Sequence, residues 1–346
     1  MNRGEALFAA LGVALVATPL AAVLARRFGV VDRPGPLKVQ QTPVPYLGGL
    51  AVFAALAVPV ASVRPALLAP LGFAAALGLA DDVASISARV RLVAEIGLGL
   101  LAGGVVAAPP GGILGMVVTA VLVVGLVNAV NLIDGLDGLA GGVACASATG
   151  FAFLGGPGAV PAAAAAGALG GFLVYNRPPA RIYLGDSGSY LVGTVLAIAA
   201  ATAMDDPGGV SGWAAIPLLV ALPVLDTAVA ILRRRRARRP LFTGDRSHIY
   251  DQLVDRGRTR VQSVVAMVVL QAILTATGVF TANVAASIAL PAAAAVIGML
   301  ALVVLLGGFL DPAAHRPATH GPAAHLPATP APRRRFAPVP PERSQP

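Results

Sequence analysis

The sequence predicts an all-α integral membrane protein, a polytopic helical bundle of about ten to eleven transmembrane helices, on three observations. Hydrophobic residues make up 57% of the 346 and charged residues 12%, about half the charged share of a soluble domain. Apolar runs close to the length of a bilayer-spanning helix, about 20 residues, follow one another along nearly the whole chain. The acidic side chains collect at or near the ends of those runs: Asp81 with Asp82, Asp134 with Asp137, Asp186, Asp226, and Asp245 just ahead of His248. A charge at the bilayer centre costs about 2.5–3.5 kcal/mol even on insertion scales. This placement points to a polar site at a membrane face.

Eleven segments follow in order: 6–25, 46–63, 66–80, 95–109, 113–131, 138–154, 160–175, 189–204, 213–232, 261–281 and 284–309. The first apolar run, Leu7–Leu24, is longer than a signal-peptide core and leads into Arg26 and Arg27 without a convincing small-residue cleavage site. It reads as a retained span. Segments 66–80, 95–109 and 160–175 fall short of a full crossing and are expected to tilt or to be partly buried. Glycines and prolines within the runs are compatible with helices, because neighbouring helices re-satisfy the backbone groups they free. The chain thus divides into a transmembrane domain, 1–310, and a Pro/Ala-rich stretch, 311–346, expected to be a disordered tail. His315, His320 and His325 in that tail recur every five residues, a spacing that does not stack ligands on one helix face. Cys145 is the lone cysteine, which excludes a disulfide framework and a Cys-based metal site.

Cation counting sets the orientation. Loops after odd-numbered segments carry eighteen of the 25 Lys and Arg residues, the opposite loops only Arg3 and Arg64, and the tail the remaining five. Odd loops are therefore predicted to be cytoplasmic. The acidic clusters lie in or beside those loops, with Asp226 in the cytoplasmic half of segment nine. Helix caps alone would scatter acids over both faces, yet the opposite face holds only Asp205, Asp206 and Glu5. The run Arg233–Arg236 reads as a topology determinant or a contact for anionic lipid. With no soluble domain to carry a recognition surface, nucleic acid is not an expected partner. The expected location is the plasma (inner) membrane, multi-pass, with the active site and the tail cytoplasmic.

Four motifs carry the chemistry. In LGLADDVASISARVRL, the adjacent Asp81 and Asp82 project about 100° apart on a helix, so one can meet a metal while the other meets a nucleophile. In NAVNLIDGLDGLAGG, Asn128 and Asn131 are three apart, as are Asp134 and Asp137; each pair shares a face if the stretch is helical. RIYLGDSGSYLVG places Asp186 in a Gly-rich turn before a new helix, where free N–H groups and the dipole suit a phosphate. PLFTGDRSHIYDQLVDRG joins Asp245, Arg246 and His248, and an arginine there can clamp a diphosphate through its planar fork. One or two carboxylates plus substrate phosphates are what Mg²⁺ uses. Together these features suggest phosphoryl transfer between a soluble nucleotide and a lipid acceptor.

The ordered set of motifs resembles the polyprenyl-phosphate N-acetylhexosamine-1-phosphate transferases, glycosyltransferase family 4. That group contains the phospho-MurNAc-pentapeptide translocase and the UDP-GlcNAc:polyprenyl-phosphate GlcNAc-1-phosphate transferases. The resemblance runs from Asp32 to about Gly257 through VDRPGPLKVQQTPVPYLGGL, LGLADD with Arg91 downstream, NAVNLIDGLDGLAGG, YLGDSGSYLVG, and LPVLDT followed by PLFTGDRSH. It implies Mg²⁺-dependent transfer (with Mn²⁺ as a substitute) of GlcNAc 1-phosphate from a UDP-sugar to undecaprenyl or decaprenyl phosphate. UMP is released and a lipid-linked cell-envelope glycan is begun. Carried over by motif, Asp81 and Asp82 match the paired catalytic aspartates, proposed in the family to deprotonate or orient the lipid phosphate or to act as nucleophile. Asp186 resembles the principal Mg²⁺ ligand, with Asp134 beside it, while Asn128, Asn131, Asp137, Lys38, Asp245, Arg246 and His248 match the nucleotide and diphosphate site. Two positions depart from the family pattern: the HxHH loop is reduced to His248, Ile249, Tyr250 and Asp251, and Gln40 stands where a histidine usually follows the lysine.

The resemblance leaves the phospho-MurNAc-pentapeptide transferases and a divergent UDP-sugar specificity as alternatives, although the first loop and the D-R-x-H loop look like the GlcNAc-1-phosphate branch. A different class, a secondary transporter of an anionic metabolite, would use Asp226 as an ion relay. Such proteins often show repeated halves, and the sequence shows no repeat.

Overall fold

The computed structural model describes residues 1–34, 42–106, 111–204, 210–240 and 248–311, and thirteen α-helices run through them. They are α1 (Arg3–Arg27), α2 (Gly48–Val63), α3 (Leu68–Ala84), α4 (Ala88–Val106), α5 (Gly112–Ile133), α6 (Leu139–Leu154), α7 (Ala159–Asn176), α8 (Gly185–Ala203), α9 (Val210–Leu219), α10 (Ala221–Arg236), α11 (Ile249–Asp255), α12 (Arg260–Ala282) and α13 (Ala286–Leu306). A capping box starts α1, where Asn2 and Glu5 satisfy each other's backbone N–H groups, and another starts α12 with Thr259 and Gln262. Between α1 and α2 lies a two-strand ribbon, β1 (Val31–Asp32) antiparallel to β2 (Val44–Pro45), with Asp32 opposite Val44.

Each of the eleven predicted segments is helical over its described residues. Among the described residues six helices are long and apolar enough to cross a membrane: α1, α5, α7, α12, α13, and α3 together with the 3-10 turn Pro65–Leu67 before it. The pair α9 and α10, bent by 61°, makes a seventh, and α2 and α6 are apolar but shorter. Large apolar side chains such as Phe8, Ile113, Phe153 and Leu306 stand exposed on the outside of the bundle, as a lipid-facing surface requires. The fourth segment starts earlier than expected, at Ala88, so Arg91 and Glu95 lie inside α4.

The ninth segment is not one helix. Pro223 has no N–H to give to Leu219 four residues back, and the chain breaks at Val220. The freed backbone groups find one side chain. Gln271 of α12, fully buried, accepts from Leu222 N at 3.0 Å, and its Nε2 lies 3.1 Å from Leu218 O, 3.0 Å from Leu219 O and 3.1 Å from Thr275 Oγ1. In an apolar medium every such group needs a partner, so this glutamine stabilises the bend that aims α10.

The centre of the bundle is α8, buried at every position from Ser187 to Ala203 and packed against α2, α3, α5, α6 and α7. Lipid offers little hydrophobic drive between helices, so close packing of small residues has to supply it. Gly78 of α3 is such a contact. A Cβ there would run into the backbone of Asp186 and Ser187, so glycine lets α3 lie directly against the start of α8.

Candidate active site

The start of α8 is where three separated motifs meet. Asp82, buried near the end of α3, accepts the backbone N–H of Asp186 at 2.9 Å on one oxygen and that of Ser187 at 3.1 Å on the other. A carboxylate from another helix thus caps the two N-terminal donors, where the dipole favours negative charge. Asn131, in the last turn of α5, donates from Nδ2 to Asp186 Oδ1 at 2.8 Å and to Ser189 Oγ at 3.1 Å. Asp186 is therefore held from α3 through its main chain and from α5 through its side chain.

Asp81 is equally occupied. Its Oδ1 accepts Ile86 N at 2.8 Å, and its Oδ2 accepts the Tyr190 hydroxyl at 2.7 Å and lies 3.4 Å from Arg91 Nη1. Arg91 is 3.6 Å from Glu95, whose other oxygen takes the amide of Asn128. Asn128 also donates to Val124 O at 2.9 Å. The two asparagines share a helix as expected but address different neighbours: Asn131 reaches α8, whereas Asn128 turns to α4 and buttresses the ion pair behind Asp81.

Residues 134–138 form a turn and not a continued helix. Asp134 caps the end of α5, and Gly138 adopts φ +78°, a left-handed conformation suited to glycine. Asp137 Oδ2 accepts Ala180 N at 2.9 Å. The buried Asn176 accepts from Gly138 N at 3.0 Å and donates to Ile182 O at 2.9 Å, tying this turn to the loop that leads into α8. Burial first, then the nearby charges of Asp186 and Asp137, push the Asp134 carboxyl up to about 7.

Asp134 and Asp137 line a cavity of about 590 Å³ whose walls also include Asp32, Tyr46, Asn176, Tyr183, Asp251 and Arg260. The ribbon supplies part of this wall. Pro45 O accepts Tyr183 N at 2.9 Å, and Gly48 N and Gly49 N donate to Tyr183 O and Leu184 O at 3.1 and 2.9 Å. Tyr46 and Tyr183 meet edge to face, centroids 5.9 Å apart. Burial, then Asp137 and Asp32, raise the Tyr183 phenol to about 12, so it is a neutral hydroxyl.

A further cluster sits at α11. Nδ1 of His248 lies 2.7 Å from Asp226 Oδ2, and Ile249 N donates to Asp226 Oδ1 at 2.6 Å. His248 is not a solvated loop residue; only 4% of it is exposed. Lys38, Asp245 and Arg246, predicted to bind the diphosphate, lie outside the described residues, as do Gln40 and the stretch from 312 onward.

The donors fit a hard divalent ion in one limited sense. Among the described residues no three His, Cys, Asp or Glu side chains converge to enclose a metal. Asp134 and Asp186, however, are close enough for their charges to interact, and two carboxylates completed by substrate phosphates and water are how Mg²⁺ is usually bound.

Sequence reasoning missed Tyr190, Glu95 and Asn176. Tyr190 is four residues after Asp186, hence on the same helix face, a spacing that carried the signal. Glu95 stands at the first residue of a predicted span, and a carboxylate within an apolar helix has a claim of its own. Nothing in the sequence singles out Asn176, whose partners are backbone atoms 38 and 6 residues away.

The family model for glycosyl transferase family 4 matches residues 65–204, the stretch that contains Asp81, Asp82, Asn131, Asp134 and Asp186. A Streptomyces coelicolor protein whose name includes the word glycosyltransferase is 36% identical over 321 residues, covering 83% of this chain and 74% of its own. The decaprenyl-phosphate N-acetylglucosaminephosphotransferases of Mycobacterium tuberculosis and Mycolicibacterium smegmatis are 32% and 30% identical, covering 68% and 72% of this chain and 72% and 74% of their own.

Proposed function

Since the chain belongs to glycosyl transferase family 4, we propose that it transfers GlcNAc 1-phosphate from UDP-GlcNAc to decaprenyl or undecaprenyl phosphate. UMP leaves, and the product begins a lipid-linked glycan of the cell envelope. The observation that carries this reading is the capture of the start of α8 by Asp82 of α3 and Asn131 of α5, which assembles the site from motifs a hundred residues apart. The basic loops support a site on the cytoplasmic face of the plasma membrane.

The lining of the cavity supports a divalent requirement. Asp32, Asp134, Asp137 and Asp251 face it against Arg260, a field that repels a bare diphosphate. Charge neutralisation on the diphosphate is what a bound Mg²⁺ supplies, with Asp186 and Asp134 as its protein ligands. Tyr183 and Tyr46 offer rings on which the uracil can rest, and by their motifs His248, Lys38, Asp245 and Arg246 are assigned to the phosphates. Phosphoryl transfer leaves a protein little covalent work, so positioning and charge dominate. Of the roles open to the paired aspartates, orientation is favoured. Asp82 spends both oxygens on the α8 N-terminus, and Asp81 spends both on Ile86, Tyr190 and Arg91.

Membranes containing the protein, given UDP-GlcNAc labelled in the sugar and excess polyprenyl phosphate, test the reading. The label is expected in an organic-extractable lipid, only with Mg²⁺ present, and with stoichiometric UMP; Asp186→Asn abolishes the transfer. Label that accumulates inside vesicles without lipid product would establish the transporter instead. Asp226, the acid best suited to an ion relay, is engaged by His248 and Ile249 N, which weighs against that role.

A further inference from the structure

Asp226 is wholly buried in α10, and both of its oxygens point at the residue pair that starts α11. One accepts Ile249 N at 2.6 Å and the other lies 2.7 Å from His248 Nδ1. A carboxylate can only accept here, so Nδ1 carries the hydrogen. Nε2 is then the ring nitrogen left without a hydrogen bond among the described residues. The plane of the imidazole is also fixed: the Tyr250 ring stacks on it with centroids 5.4 Å apart and 10° between planes. The Tyr250 hydroxyl donates to Leu132 O at 3.3 Å, and Gly135 leaves the Tyr250 ring the space that any Cβ would fill. The stack therefore rests on the turn that carries Asp134 and Asp137.

We propose that Asp226 is a positioning residue that holds His248 in the Nδ1–H form, so that Nε2 is the nitrogen presented to the diphosphate of the sugar nucleotide. The proposal rests on the transferase reading above. With a second proton on Nε2 the ring donates to a phosphate oxygen, and Asp226 provides the countercharge behind it, a division of labour known from hydrolytic triads. Tyr250 and the 132–135 turn set the distance between that donor and the acidic cluster.

The test is a comparison of His248→Ala, Asp226→Asn, Asp226→Glu and the double variant His248→Ala/Asp226→Asn, assayed as turnover per folded protein. Losing an orienting partner of a working imidazole costs about 10–100-fold; that loss is expected in kcat for D226N, with KM for the lipid unchanged. D226E keeps the charge and should outperform D226N, whereas a purely steric role favours the isosteric D226N. In the His248→Ala background, D226N should change kcat by less than about twofold, because the two groups act as one unit. Wild-type turnover in D226N, an undiminished D226N effect without the imidazole, or D226N above D226E would each overturn the proposal. So would failure of both Asp226 variants to fold while His248→Ala folds, since Asp226 would then be a folding residue. Full activity in His248→Ala removes His248 from the site and the proposal with it, but leaves the transferase reading, which stands or falls with Asp186→Asn.

Discussion

Replacing Asp82 with Asn tests whether the paired aspartates organise the site or only react in it. In the native protein the carboxylate accepts two backbone N–H groups, of Asp186 at 2.9 Å and Ser187 at 3.1 Å. Bonds to a charged acceptor contribute about 1.5–3 kcal/mol each. Asparagine keeps one neutral acceptor and turns an NH₂ toward the other donor. One charge-assisted bond is lost, the second weakens by about 1 kcal/mol, and the helix-dipole interaction of about 0.3–1 kcal/mol goes too. Relief of crowding with Asp81 and Asp186 offsets part of this, which leaves a net destabilisation of about 2–3 kcal/mol. The assay is reversible denaturation in lipid-detergent bicelles, read beside transferase turnover on the same preparation. Activity and stability should fall together. A residue serving chemistry alone behaves oppositely, since removing a strained functional charge tends to leave stability unchanged or raise it. An Asp82→Asn protein that is inactive yet as stable as the wild type would refute the capping argument.

Three further outcomes are expected. Gln271→Met preserves volume but strips partners from Leu218 O, Leu219 O and Leu222 N; at about 0.6 kcal/mol per interhelical bond in a membrane protein, three lost bonds cost about 2 kcal/mol, measurable in the same denaturation assay. For Asp134, the folded protein holds the proton more tightly than the unfolded chain does, 3.8 moving to about 7. In EDTA, stability should therefore decline as pH rises from about 4 through 7; Asp134→Asn should flatten that decline, and Mg²⁺ should reverse it in the wild type only. Gly78→Ala drives a methyl into the backbone of Asp186 and Ser187. Overpacking of this kind costs about 1–3 kcal/mol, and because the displaced atoms carry Asp186, turnover should drop more than stability alone accounts for, as single-turnover kinetics on the folded fraction would reveal.

Much of the bundle was legible because membranes constrain sequence strongly. The eleven apolar segments are helical over their described residues, since lipid permits few other backbones, and Asp186, expected in a glycine-rich turn just ahead of a helix, lies in the first turn of α8. The errors have local causes. Segment nine reads as continuous because Pro223 is ambiguous in a membrane helix; the break appears only when Gln271, 48 residues further on, accepts from Leu222 N and donates to Leu218 O and Leu219 O. Asp134 and Asp137 would share a face only if their stretch were helical; Gly138 at φ +78° turns the chain instead, and Asp137 bonds to the loop at Ala180. Asn128 and Asn131 looked equivalent at a spacing of three, yet they contact α4 and α8 respectively.

By itself, the sequence determined the solvent this protein folds in, the residues that carry its charge, and the order of its motifs, because insertion energies and family signatures act along the chain. Only the tertiary structure decided which of those charges meet. Asp82 reaches Asp186 and Asp226 reaches His248 through helix crossings set by glycine contacts and by the bend at Val220. Such crossings depend on the shapes of two surfaces at once, and neither surface is written in any single stretch of residues.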